Sequence, residues 1–189
     1  MDKPAQKHIL FFGDSLTAGY GLSSPNTESF PALLKRMAAA ENLGFSYTNA
    51  GISGDTTQSA IQRLPKLLKG NIDIAVIGIG ANDILRGYPP ETMTANIEKI
   101  IQQIRLNDHR TRILLLGMEL PAWISHQRVS AYRDIYSNLA GKYELSFLPF
   151  MLEGVIGNRS LNLADLVHPN AKGYEKIARA IWPLLKQLL

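Results

Sequence analysis

Ser15, Asp165 and His168 are the side chains whose types and spacing best suit nucleophilic chemistry. Ser15 lies in Phe12-Gly13-Asp14-Ser15-Leu16-Thr17-Ala18-Gly19-Tyr20-Gly21, directly after the apolar run 8–12. A buried strand ending in such a glycine-bearing turn can hold a serine exposed at the end of a sheet, where a nucleophile has to sit. Serine is weak at its free pKa and needs a base beside it. The segment Asp165-Leu166-Val167-His168-Pro169 offers one. A spacing of three can bring both side chains to one side of a turn, and Pro169 biases His168 away from helical geometry. An aspartate accepting from one ring nitrogen fixes the tautomer and stabilises the imidazolium, leaving the other nitrogen to take a proton from serine. His8 at a strand start, His109 in a polar turn and His126 near a helix start lack such surroundings and are expected to be structural or exposed.

For these groups to meet, the intervening chain must bring opposite ends of the sequence to one edge. Apolar runs at 8–12, 45–49, 72–79, 112–118 and 145–148 read as strands, the β-branched third being the clearest. Helical patterns fall between them at about 28–41, 56–69, 91–106 and 125–143. A last helix runs from Asn170, a good N-cap, toward Leu189, with Pro183 expected to bend or break it. Strict alternation predicts a flavodoxin-like three-layer α/β/α sandwich with a five-stranded parallel sheet. In such sheets ligands bind outside the carboxyl ends of the strands. Asp14-Ser15, Asn49-Ala50-Gly51, Gly80-Ala81-Asn82-Asp83 and the Asp165–His168 segment all fall on that rim. Taken singly, the glycines can be turn formers and Asp14, Asn82 and Asp83 caps.

Size and composition narrow the field. A chain of 189 residues, 46% hydrophobic and 19% charged, reads as one ordinary globular domain over 1–189. No apolar run approaches the roughly 20 residues that span a bilayer, so no stable membrane insertion is expected. The first seven residues are polar, so no signal peptide is expected within the chain, and the compartment stays open between cytoplasm and export. With no cysteine, disulfides, zinc-thiolate sites and thiol nucleophiles are excluded. The net charge of +4 comes from 20 Lys and Arg spread along the chain. The densest group, Arg63, Lys66 and Lys69, is spaced like a solvated helix face, so no nucleic-acid partner is expected. A metal site is not expected either: His-Glu-x-x-His is absent, and Asp165 with His168 gives two ligands where a catalytic zinc takes about three.

With its four blocks in order, the chain resembles the SGNH, or GDSL, hydrolase family over nearly its whole length. Gly13-Asp14-Ser15-Leu16, the glycine after the second strand, Gly80-x-Asn82-Asp83 and Asp165-x-x-His168-Pro169 carry the likeness. Leu85-Arg86-Gly87 and Leu120-Pro121-Ala122 are similar to its bacterial thioesterase I/protease I/lysophospholipase and arylesterase branch. The resemblance implies Ser15 as nucleophile, His168 as general base and then acid, and Asp165 as its orienting partner. It implies an oxyanion hole of the Ser15 and Gly51 N–H groups and the Asn82 amide, with Asp14 and Asp83 as supports. No cofactor is implied.

The expected reaction is hydrolysis of a small-molecule acyl ester or thioester by a monomer or weak oligomer. Leu85, Tyr88, Leu120, Pro121 and Trp123 are candidates to line the acyl or aryl site, or to pack the loops that carry them. Trp123-Ile124-Ser125 stands where the thioesterase branch has a polar, glycine-containing stretch, an arrangement expected to narrow the pocket toward short acyl or aryl esters. Two alternatives are a carbohydrate O-acetylesterase and a non-catalytic nucleotide- or flavin-binding module with Ser15 and Thr17 on phosphate. The second leaves the His168 segment without a purpose and lacks a Gly-Lys-Ser/Thr loop.

Overall fold

Five apolar stretches pair into one sheet in the computed structural model, which describes residues 6–118 and 130–189. They are β1 (Lys7–Gly13), β2 (Phe45–Gly51), β3 (Ile74–Gly78), β4 (Arg112–Leu116) and β5 (Ser146–Leu148), in the order β2-β1-β3-β4-β5 with every pairing parallel. Both faces of the central strands are covered. Ile9 to Phe12, Ile74 to Ile77 and Leu114 to Leu116 are all buried, which is why these strands read as continuous rather than alternating apolar runs. The third strand is shorter than the apolar run 72–79. Asp73, just before it, still exchanges backbone hydrogen bonds with His8 and Arg112, and its carboxylate also accepts from the His8 N–H at 2.7 Å.

Longer helices flank the sheet: α3 (Phe30–Ala40), α4 (Thr57–Leu67), α6 (Pro90–Asn107), α7 (Ile135–Tyr143) and α8 (Ala171–Leu188). Three shorter ones, α1 (Ser15–Ala18), α2 (Pro25–Glu28) and α5 (Ala81–Arg86), lie in segments expected as loops or helix entries. Helix α3 packs on α8, and α6 packs on both α4 and α7, so the helices form two groups and the architecture has three layers. Helix α4 starts at a reciprocal Thr56/Ser59 capping box, and Asn170 caps α8 by accepting from the Gly173 N–H at 3.1 Å. The expected break at Pro183 does not occur, and α8 runs on to Leu188. Pro183 and Arg179, the residue whose carbonyl loses its helical partner, both face solvent, where water can satisfy that carbonyl. The expected helix 125–143 begins in part outside the described residues; within them, α7 starts at Ile135, after a turn.

From β1 the chain goes to β2 on one side and later to β3 on the other. Such a reversal opens a crevice at the carboxyl ends of the two strands. Ser15 follows β1 and Asn82 follows β3 across it.

Candidate active site

The Gly13–Ser15 turn forces tight packing. A Cβ on Gly13 would lie 2.1 Å from Thr17 Oγ1 and 2.3 Å from the Gly78 carbonyl, so only glycine fits between β3 and α1. Asp14 then caps α1, accepting from the Leu16 N–H at 3.0 Å. Ser15 becomes the first residue of that helix, and its own N–H has no acceptor among the described residues. Burial pushes the Asp14 carboxyl up to about 7, the charges of Asp55 and Asp83 adding to the rise while the Leu16 N–H opposes it.

Ser15 Oγ lies 3.0 Å from His168 Nε2, and His168 Nδ1 lies 2.6 Å from Asp165 Oδ2. Asp165 Oδ1 also accepts from the Val167 and His168 N–H groups at 3.0 and 2.9 Å. The hydrogen bond to His168, helped by those two N–H groups, holds the Asp165 carboxyl down at about 2 against the opposing effect of burial. An ionised carboxylate only accepts, so Nδ1 of the neutral imidazole carries the proton and Nε2 accepts from the serine hydroxyl. The segment is held by its own backbone: Leu163 N–H donates to the His168 carbonyl at 2.8 Å and Gly157 N–H to that of Leu166 at 3.0 Å. Leu166 adopts a left-handed φ of 60° to turn the chain between the two side chains. The Tyr20 ring lies over the imidazole at a centroid distance of 4.7 Å.

The third block is the first turn of α5 rather than a loop. Gly80, at a φ of 119°, starts that helix. Asp83 is buried there and accepts from the Thr57 N–H at 2.9 Å and the Thr57 hydroxyl at 2.6 Å, which ties α5 to the start of α4. Asn82 donates one amide hydrogen to the Asp55 carbonyl at 2.9 Å, and the second has no acceptor among the described residues.

Gly51 is placed differently from expectation. Its N–H donates to Asn49 Oδ1 at 3.0 Å and is therefore already engaged. The need for glycine there is spatial, since a Cβ would lie 2.2 Å from the Ala18 nitrogen, against the backbone of α1. Beyond it, Asp55 N–H donates to the Ile52 carbonyl at 3.1 Å and closes a turn with Gly54 at a φ of 80°. The Gly54 N–H has no acceptor among the described residues.

A cavity of about 100 Å³ opens beside Ser15, Asn82 and His168, walled by Leu16, Ile84, Leu85, Met118, Leu152, Ile156 and Val167. Leu85 belongs to this wall and Tyr88 does not; the Tyr88 carbonyl accepts from the Tyr132 hydroxyl. Leu120, Pro121 and Trp123 lie outside the described residues, as does His126. Leu152 and Ile156 were not anticipated, because the stretch between β5 and Asp165 carries no helical or strand periodicity.

A doubly wound α/β fold with a serine–histidine–aspartate relay at its carboxyl edge is the architecture of an acyl-transfer hydrolase. The chain belongs to the GDSL-like Lipase/Acylhydrolase family, whose match covers residues 11–176. It is 34% identical to Esterase TesA of Pseudomonas aeruginosa over 98% of this chain and 90% of that protein. It is also 34% identical to the Thioesterase 1/protease 1/lysophospholipase L1 of Escherichia coli K12, over 90% of this chain and 79% of the relative. A crystal structure of TesA superposes with a TM-score of 0.89 at 34% identity, covering 97% of this chain and all of that one.

Proposed function

We propose that this chain hydrolyses carboxylic esters and thioesters of short acyl groups through an acyl-Ser15 intermediate. The observation that carries the reading is the relay Ser15–His168–Asp165, at 3.0 and 2.6 Å, opening onto an apolar cavity. His168 Nε2 takes the hydroxyl proton as Ser15 Oγ attacks the carbonyl carbon, and then gives that proton to the departing alcohol or thiol. Water, deprotonated by the same nitrogen, attacks the acyl-serine and releases the acid, returning the proton to Ser15. Asp165 stays ionised throughout and holds the imidazolium.

The oxyanion would be received by donors that are unengaged among the described residues: the Ser15 N–H, the second Asn82 hydrogen and the Gly54 N–H. Gly54 replaces Gly51 in this assignment because the Gly51 N–H is bound to Asn49. Asn82 and Gly54 belong to one unit, since the Asn82 amide is fastened to the turn that carries Gly54. A cavity of about 100 Å³ is small beside the roughly 300–1,000 Å³ of ordinary ligand pockets, which supports a short acyl group. Its apolar wall also favours acyl esters over acetylated sugars. The naming of relatives as an esterase and as a thioesterase supports the reaction class.

The test is hydrolysis of p-nitrophenyl esters from acetyl to dodecanoyl, beside one acyl-CoA, by wild type and Ser15→Ala. The expected result is a profile falling with chain length, and activity that vanishes with Ser15. A folded Ser15→Ala variant that keeps its activity would refute the mechanism.

A further inference from the structure

Arg63 does not sit on a solvated helix face. Its side chain is only 18% exposed and turns inward from α4, while Lys66 and Lys69 face water. The guanidinium makes three hydrogen bonds to three separate segments: Nε to Asp55 Oδ2 at 2.7 Å, Nη1 to the Ala50 carbonyl at 2.8 Å and Nη2 to the Gly13 carbonyl at 2.9 Å. Its flat face lies 4.4 Å from the centre of the Phe12 ring. Each segment leads directly to the site. Gly13 precedes Asp14-Ser15, Ala50 precedes the turn with Gly54, and the Asp55 carbonyl holds the Asn82 amide. Ser59, one helical turn before Arg63, donates to the other Asp55 oxygen, so the carboxylate is fixed from both sides.

We propose that Arg63 is the positioning residue that sets the nucleophile and the oxyanion donors at one fixed separation, an inference that rests on the acyl-Ser15 reading above. A planar fork with donors in fixed directions can hold two carbonyls and a carboxylate at once; an ammonium on a flexible stem cannot. Arg63 has no hydrogen bond to His168 or Asp165, so it acts on the attack geometry and not on the base.

The experiment compares wild type, Arg63→Lys and Arg63→Ala with p-nitrophenyl butyrate, counting active sites by stoichiometric labelling with a p-nitrophenyl alkylphosphonate. For Arg63→Lys, kcat per labelled site should fall by about 10–100-fold, the scale of a sub-ångström to 1 Å misplacement. KM should stay within about threefold, and the pH profile should keep its shape. The rate of phosphonate labelling should fall in parallel, because it needs Ser15, its base and the oxyanion donors but no later attack by water. Added guanidinium should restore part of the kcat of Arg63→Ala. If these variants do not fold, Asp55→Asn removes the charge and one of the two acceptor oxygens that Ser59 and Arg63 share, and should give the same kcat loss at unchanged KM. A folded Arg63→Lys or Asp55→Asn whose kcat per labelled site stays within threefold of wild type would overturn the inference, whatever its melting temperature. Wild type that takes no phosphonate on Ser15 would instead refute the hydrolase reading, and this inference with it.

Discussion

Replacing Asn82 by alanine separates an oxyanion donor from a merely structural amide. One Nδ2 hydrogen is spent on the Asp55 carbonyl at 2.9 Å, in a partly buried setting. Losing that bond should cost about 0.5–1.5 kcal/mol of stability. In a chain of this size that is a fall of about 1–6 °C in melting temperature. The turn itself should survive, since Arg63 and Ser59 still hold the Asp55 carboxylate. In the proposed mechanism the second hydrogen meets substrate only as negative charge develops on its carbonyl oxygen. Removing such a donor costs about 2.7–4 kcal/mol of transition-state stabilisation, or about 10²–10³ in kcat. Because the loss falls on the transition state, KM should change by less than about threefold. Asn82→Asp sharpens the test: it keeps the shape but can only accept, so a carboxylate would face both the Asp55 carbonyl and the forming oxyanion. Its kcat at neutral pH should lie below that of Asn82→Ala. The assay is steady-state hydrolysis of p-nitrophenyl acetate and butyrate, with thermal melts on the same preparations. An alanine variant within threefold of wild type in kcat, or an aspartate variant faster than it, would refute the donor role.

Three further outcomes are expected. Gly51→Ala places a methyl group 2.2 Å from the Ala18 nitrogen; it should lose about 1–3 kcal/mol by calorimetry as α1 is pushed away, and an unchanged melting temperature would count against the packing argument. Ile156→Trp should fill the cavity of about 100 Å³, sparing acetyl esters and cutting turnover of longer ones, so an unaltered chain-length profile would show that the acyl chain lies elsewhere. Asp14 has a folded-state pKa of about 7 against 3.8 unfolded, so between about pH 4 and 7 the folded state binds more protons and stability falls as pH rises. Asp14→Asn keeps an acceptor for the Leu16 N–H and removes that decline, gaining on the order of 4 kcal/mol over wild type by pH 8; urea unfolding at pH 5 and 8 that shows no change in this difference would refute it.

The central sheet was legible because β1, β3 and β4 are buried on both faces and therefore read as nearly continuous apolar runs, 72–79 above all. The polar blocks at their carboxyl ends stood out for the same reason, as glycine and Asx residues interrupting apolar sequence. Helix α5 was not legible. Six residues make under two turns, too few for a periodic apolar pattern, and what holds them is the distant bond from Asp83 to Thr57. The cavity wall contributed by Leu152 and Ile156 depends on how a turn-rich stretch folds back over Ser15, and nothing local encodes that.

Gly51 and Arg63 show why residue type is a weaker guide to role than to place. Glycine after β2 satisfies two different demands, a bare amide and a missing side chain, and the sequence cannot say which applies. At Gly51 the amide is bound to Asn49 and the missing Cβ admits α1, so packing is the demand. Three residues on, Gly54 has the free amide. For Arg63, a basic residue spaced three from Lys66 and six from Lys69 reads as surface, because charge on a helix is usually solvated. A second pattern overlaps it: Asp55, in the turn before α4, is followed at four-residue spacing by Ser59 and Arg63, and both donate to its carboxylate. Arg63 also meets the Gly13 and Ala50 carbonyls near the ends of β1 and β2; the Gly13 carbonyl already accepts from the Ile52 N–H at 3.1 Å and takes the guanidinium as a second donor. An arginine within reach of an aspartate, beside strand-end carbonyls with a spare lone pair, is better satisfied inward than in water. Its burial follows from the sheet it closes, which is why it became visible only once the strands were in place.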